Sequence, residues 1–290
     1  MFDLFADAPE AEPVFVAATD LLGEDPRRFV RDAEEAALHR NRASQLLNVT
    51  RALVAQSCLA AALPPSLLVS GYSVGEMAAW GLAGVWSVAD TLRLTARRAE
   101  LMNQASGRGD ALGFVRGLSY AAIEALAAQW GCAIAIVNPG LLFVVGGARE
   151  DVARLCSEAL RAGASRSSLL PVQVASHTAR LSGAVEPFER ALRAVVPQRT
   201  TSRRKLLGAA NAEVILSPAD ALKGLASQLA STIDWNAALL ALVEQGADRM
   251  LELGPGRALA DVVHAAYPPV PVRALDEFRS IEGARDWLRA

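Results

Sequence analysis

The chain has 290 residues, 52% of them hydrophobic, enough for one large domain or two around a substantial core, which excludes disorder and collagen-like repeats. Its 29 basic and 31 acidic residues leave a formal charge of -2, so no global field draws it to nucleic acid or a membrane surface, and any anion it binds is bound locally. Cys58, Cys132 and Cys156 are too far apart for a disulfide framework or a metal pattern. The acidic N-terminus is unlike a signal peptide, and the best candidate for a membrane span, Cys58 to Val69, is broken by Pro64 and Pro65. The expectation is a cytoplasmic protein with no metal.

In chain order, helical spacing from Phe29 to Ala62 predicts two amphipathic helices. Pro64-Pro65 ends them, Leu67-Leu68-Val69 reads as a short buried strand, and helix formers resume from Val74 to Leu82. Ser87-Val88-Ala89-Asp90 has capping-box spacing and opens a helix running to about Ala105, before a polar break at 106–109. Next come a strand at Ala111 to Val115, a helix at Tyr120 to Trp130, and strands at Cys132 to Val137 and Leu142 to Val145 around an Asn138-Pro139-Gly140 turn. A helix at Glu150 to Ala162 and a strand at Ser168 to Val174 complete a β-α-β-β-α-β order, which a small ferredoxin-like unit requires. Beyond Ala179 the pattern predicts a helix to Val195, a strand at Leu206 to Ala209, helices at Pro218 to Leu229 and Asn236 to Gln245, a strand at Arg249 to Leu253, and a last helix after Gly254-Pro255-Gly256.

The sharpest chemical signal is Gly71-Tyr72-Ser73-Val74-Gly75, a G-x-S-x-G turn between a predicted strand and a predicted helix. Such a turn is expected to need both glycines against backbone collision, to project the Ser73 hydroxyl, and to place the Val74 amide where an oxyanion would form. A serine nucleophile needs a base, and the chain has three histidines. His39 sits on a charged helical face and His264 on the flank of an amphipathic helix. His177 follows the predicted strand and is expected at a strand end, the position that suits a base. Tandem Arg97 and Arg98 lie inside the helix that starts at Ser87, where a solvated face is the ordinary reading. Arg190, Arg193, Arg199, Arg203, Arg204 and Lys205 form a basic cluster, also expected to be a solvated face and otherwise an anion-binding surface.

Gly71 to Glu76 resembles the G-H-S-x-G-E signature of malonyl-CoA:acyl-carrier-protein transacylases, and the similarity continues along the chain. Arg98 lies 25 residues past the serine and is followed by Leu101-Met102, similar to that family's R-x-x-x-M segment. Val174 to His177 resembles its S-H segment, Asn138-Pro139-Gly140 with Val144 to Gly147 its N-x-P-G turn and strand, and Glu252 to Gly256 its E-x-G-P-G turn. The resemblance implies an α/β fold, an α/β-hydrolase-like large domain (1–108 and 178–290) carrying an inserted ferredoxin-like subdomain (109–177). It implies that Ser73 takes malonyl from malonyl-CoA with His177 as base, and that the thiol of a phosphopantetheine-type arm on an acyl carrier protein then accepts it, with no bound cofactor. Arg98 would pair with the free malonyl carboxylate, and Val74, Asn138 and Ser176 would complete the substrate-binding residues. Tyr72 in place of the usual histidine, with Val74 and Met77 to Trp80, is most similar to the epsilon subunits of bacterial malonate decarboxylases, which implies other subunits of that complex as partners.

Two departures from the family set further expectations. Its members begin with a strand and a P-G-Q-G-x-Q loop that completes the oxyanion hole. Nothing similar precedes Phe2, so a chain short by one strand and one loop, with an intact acyl site and slow turnover, is expected. Small Ala175 and Ser176 before His177 leave room for a methyl branch on the acyl group. Two other readings stay open: a serine hydrolase or thioesterase running Ser73, then Asp220 or Asp248, then His264, and a non-catalytic subunit that docks a carrier protein.

Overall fold

The computed structural model describes residues 1–198 and 203–290. Pro13 near its start and Gly23 just past its end, at φ 87°, punctuate helix α1 (Glu12–Leu22), which the sequence reading missed although both signals are present. Three helices then stand where two were expected, α2 (Pro26–Asp32), α3 (Glu35–Leu38) and α4 (Asn41–Leu59), because Ala33-Glu34 and His39-Arg40 break the run. With Leu46, Val49, Leu53 and Leu59 fully buried, α4 is the axis of the larger core.

The expected strand, turn and helix follow as β1 (Leu67–Val69) and α5 (Gly75–Leu82), then α6 (Val88–Ala105). The Ser87 hydroxyl caps α6 by accepting the Asp90 amide at 3.1 Å, and α6 packs along α4. A second unit comprises β2 (Asp110–Arg116), α7 (Tyr120–Gln129), β3 (Ala133–Asn138), β4 (Leu142–Ala148), α8 (Arg149–Arg161) and β5 (Arg166–Leu169). Its strands lie in the order β5-β2-β4-β3, all antiparallel, with Asp110 opposite Ala148 and Arg116 opposite Leu142. The strand expected at Ser168 to Val174 is thus displaced. It ends at Leu169, since Pro171 has no amide to donate and the chain leaves the sheet.

The remaining elements are α9 (Ser182–Arg193), β6 (Arg204–Gly208), β7 (Glu213–Val214), α10 (Pro218–Ser227), β8 (Ile233–Asp234), α11 (Trp235–Glu244), β9 (Met250–Glu252), α12 (Ala258–Ala266), β10 (Val272–Ala274) and α13 (Ile281–Arg289). The helix after Gly256 is therefore not the last, and β10 pairs in parallel with β9. Strand β6 lies between β1, parallel to it, and antiparallel β7. β8 adds a fifth strand, parallel to β3, to the second unit. A shared apolar cluster holding Leu112, Ile136 and Val144 with Leu207, Trp235 and Val263 joins the two sheets. Among the described residues no helix is long and apolar enough to cross a membrane.

Candidate active site

Ser73 lies in the short turn between β1 and α5 with φ 53°, a left-handed conformation that costs a non-glycine residue of order 1 to 3 kcal/mol and that recurs where a nucleophile must be held outward. The turn is tight at one glycine only. A Cβ on Gly71 would lie 2.1 Å from the Glu76 amide nitrogen, whereas one on Gly75 would meet nothing within 4 Å, so the expectation of two obligatory glycines holds for Gly71 and fails for Gly75. The amides of Gly75, Glu76 and Met77 donate to the carbonyls of Tyr72, Ser73 and Val74 at 2.9 to 3.0 Å. Val74, next to the serine, is the N-cap residue of α5, so its amide lies at the positive end of the helix.

His177 emerges from a loop eight residues beyond the end of β5, not from a strand end, and it too has positive φ, 62°. Its amide donates to the Leu229 carbonyl at 2.8 Å. The imidazole Nδ1 lies 2.7 Å from the Gln228 carbonyl oxygen, and Nε2 lies 2.7 Å from the Ser73 hydroxyl. A carbonyl can only accept, so Nδ1 carries the proton and Nε2 is free to accept the Ser73 O–H. Burial, and then the Arg98 charge, push the His177 pKa down from 6.5 to about 3, so the ring is neutral at physiological pH. His39 is a surface residue 3.7 Å from Glu35, and His264, on which the hydrolase order depends, is exposed on α12. Burial pushes the Cys58 and Cys132 thiols up to about 11, which removes them as competing nucleophiles.

The tandem arginines divide. Arg97 is at the surface 3.4 Å from Glu100, while Arg98, one residue on, turns inward and is 2% exposed. Arg98 Nη1 donates to Gln45 Oε1 at 2.6 Å, and its Nη2 is buried with no hydrogen-bond partner among the described residues. An orphaned guanidinium nitrogen inside a protein is costly, and the bond it lacks is the one a bound carboxylate would supply. Gln45 was not singled out from the sequence, though a polar side chain in line with the buried Val49 of α4 is the kind of break in an apolar stripe that marks a site.

Asn138, at the end of β3, is also buried, with its amide nitrogen unpartnered among the described residues, and it lies by the Tyr72 phenol. Tyr72 packs edge-on to Trp235 at 5.3 Å, and burial pushes its pKa up to about 12. Ser176 is buried beside His177. The basic cluster is not assembled around this site: Arg190 and Arg193 pair with Glu186 and Glu189 on their own helix, Arg204 donates to the Leu82 carbonyl, and Arg199 lies outside the described residues.

Glu76, on the first turn of α5, is 2% exposed, and burial pushes its pKa up from 4.5 to about 7. Between pH 4.5 and 6.5 the native state holds a Glu76 proton that the unfolded chain lacks, and the unfolded chain holds a His177 proton that the native state lacks, so the two slopes of stability with pH oppose each other. In Glu76→Gln only the histidine slope remains, and stability should fall towards acid by about 1.4 kcal/mol per pH unit relative to wild type. In His177→Gln it should fall towards neutral pH. Denaturant titrations from pH 4.5 to 6.5 would refute this assignment if both variants kept the wild-type slope.

The Acyl transferase domain model matches residues 10–272. Malonyl CoA-acyl carrier protein transacylase of Escherichia coli K12 is 28% identical over 286 residues, covering 95% of this chain and 90% of that protein. Its counterpart from Bacillus subtilis is 26% identical, with 99% and 92% covered. Among solved structures, a type II PKS acyl-carrier protein in complex with its malonyl-transacylase provides a match at TM-score 0.90 and 25% identity, covering 99% of this chain and 94% of that one. An acyl-carrier-protein S-malonyltransferase from Burkholderia pseudomallei matches at TM-score 0.89 and 23% identity, with 98% and 94% covered, and so shares the mixed α/β fold. With a model match over most of its length, the chain belongs to the acyl transferase domain family.

Proposed function

We propose that this chain is a malonyltransferase that moves malonyl from malonyl-CoA to the thiol of an acyl carrier protein through a malonyl ester on Ser73. The carrying observation is the buried Arg98 with its unpartnered Nη2, close enough to the 2.7 Å Ser73–His177 pair for its charge to act on the histidine. An acyl group with a free carboxylate satisfies that guanidinium, and a plain acetyl group does not. The Ser73 oxygen attacks the thioester carbonyl as its proton passes to His177 Nε2, the Val74 amide faces the forming oxyanion, and the proton returns to the departing CoA thiolate. The carrier thiol reverses the sequence, giving a ping-pong reaction. Asn138 and Ser176 line the acyl and pantetheine path.

In this reading the β5-β2-β4-β3 unit is a ferredoxin-like subdomain (109–177) set into an α/β-hydrolase-like part (1–108 and 178–290), with the site between them. Tyr72 and the Met77 to Trp80 segment support the role of a malonate decarboxylase epsilon subunit, working in the cytoplasm beside that complex's other subunits. The hydrolase order has no support in the geometry, since Ser73 engages His177 and His264 is exposed. The intact serine–histidine pair likewise argues against a purely docking role. Brief exposure to malonyl-CoA, followed by intact-mass and peptide analysis, should locate one malonyl group on Ser73 and none in Ser73→Ala. Acylation that survives this substitution would sink the proposal.

A further inference from the structure

We infer that Glu76 is a positioning residue for the base, acting through Gln228: its buried carboxylate grips the Gln228 side chain, and the Gln228 main-chain carbonyl thereby holds the His177 ring. The inference rests on the reading of Ser73 and His177 as nucleophile and base. Many serine enzymes place a carboxylate directly on histidine Nδ1. Here that position is taken by a main-chain carbonyl 2.7 Å away, which carries no charge and can swing with its peptide plane. The structure supplies an anchor one step further out. Gln228 is 1% exposed, and its Nε2 donates to Glu76 Oε2. The Ala209 amide donates to the same oxygen at 3.3 Å, so the carboxylate is itself held. Both main-chain acceptors that hold His177, the carbonyls of Gln228 and Leu229, belong to the segment this anchor fixes.

The arrangement closes on itself. Glu76 lies three residues past the nucleophile, and its amide donates to the Ser73 carbonyl at 3.0 Å. From Ser73 the ring runs through Glu76, the Gln228 side chain, the Gln228 carbonyl and His177, and returns to the Ser73 hydroxyl at 2.7 Å. A single carboxylate thus ties the helix that carries the nucleophile to the turn that orients the base. A buried carboxylate is expensive to keep, and burial does push Glu76 towards its neutral form. Either protonation state still offers an oxygen to Gln228, so the tie persists across neutral pH.

The test uses a fluorophosphonate, which needs an activated serine and makes no demand on the acyl pocket. Labelling rate reports how well His177 is poised, and the final extent of labelling reports the fraction of folded sites. In Gln228→Met the carbonyl remains and its anchor is lost, so labelling should slow by about tenfold to a hundredfold, the scale expected of a misplaced catalytic group. Because that variant strands a buried carboxylate and could fail to fold, the double variant Glu76→Met with Gln228→Met removes both partners together, which is far less disruptive, and should label to full extent at the same reduced rate. The exchanged pair, Glu76→Gln with Gln228→Glu, restores an amide–carboxylate bond and should recover to within about threefold of wild type. A double variant that labels at the wild-type rate, or an exchanged pair as slow as the double, would overturn the inference. Wild-type protein that labels fast yet gains no malonyl from malonyl-CoA would overturn the malonyl reading and leave this one standing.

Discussion

Replacement of His177 by alanine should slow acylation of Ser73 by about 10⁴-fold or more while malonyl-CoA still binds. The magnitude follows from the chemistry: a neutral serine hydroxyl is a poor nucleophile, and loss of the histidine in comparable serine enzymes removes nearly everything except the oxyanion and binding contributions. Among the described residues, no other side chain near Ser73 is placed to take the proton. Glu76 faces Gln228 and Ala209, Arg98 is cationic, and the Tyr72 phenol keeps its proton to about pH 12. His264→Ala and His39→Ala should be close to wild type, since both side chains are at the surface. Rapid-quench measurement of the malonyl ester decides the matter. An inactive His264→Ala beside an active His177→Ala would replace the transferase reading with the hydrolase one.

How far the sequence foretold this site depends on which kind of atom does the work. Ser73 was legible because a glycine that cannot carry a Cβ, a strand and a helix all have to coincide for the turn to form, and Gly71 proves to be that glycine. His177 does lie beside Ser73, but not by the route expected, because the strand that was to deliver it stops at Leu169 and a positive-φ loop does the delivery. Arg98 could not be told from Arg97 by spacing. One residue of helical rotation separates a solvated guanidinium from a buried one, and only the path of α6 against α4 decides which is which. The partner that orients His177 was invisible in principle, since it is a main-chain oxygen that every residue possesses. Its anchor, Glu76, lies 152 residues from Gln228 in the chain. The β-α-β-β-α-β order was readable from alternating periodicities, whereas α1, α13, β7, β8 and β10 were missed. Strand β8 is too short to show a period, and it forms because Ile233 fits beside Ile136.

Arg98→Ala should divide substrates by whether they carry a carboxylate. Malonyl-CoA transfer is expected to fall by about 10²-fold or more, because a charge-assisted hydrogen bond contributes about 1.5 to 3 kcal/mol and a desolvated bidentate pair lies at or above the top of that range. Acetyl-CoA has nothing to pair with Arg98, and for that substrate two effects work in its favour. The buried positive charge no longer depresses His177, so the base is strengthened. The unpartnered Nη2 that acetyl leaves stranded is also gone. Transfer of acetyl should therefore hold steady or rise, and the ratio of the two kcat/KM values should shift by more than either alone. Arg98→Lys should fall between, keeping the charge and losing the planar fork, and Gln45→Leu should weaken malonyl selectivity through loss of the 2.6 Å bond that fixes the guanidinium plane. Any loss of folded protein affects both substrates alike and cancels in the ratio. Equal losses for malonyl-CoA and acetyl-CoA would reduce Arg98 to a structural cation, and the Ser73–His177 pair would then serve an acyl group that has no carboxylate.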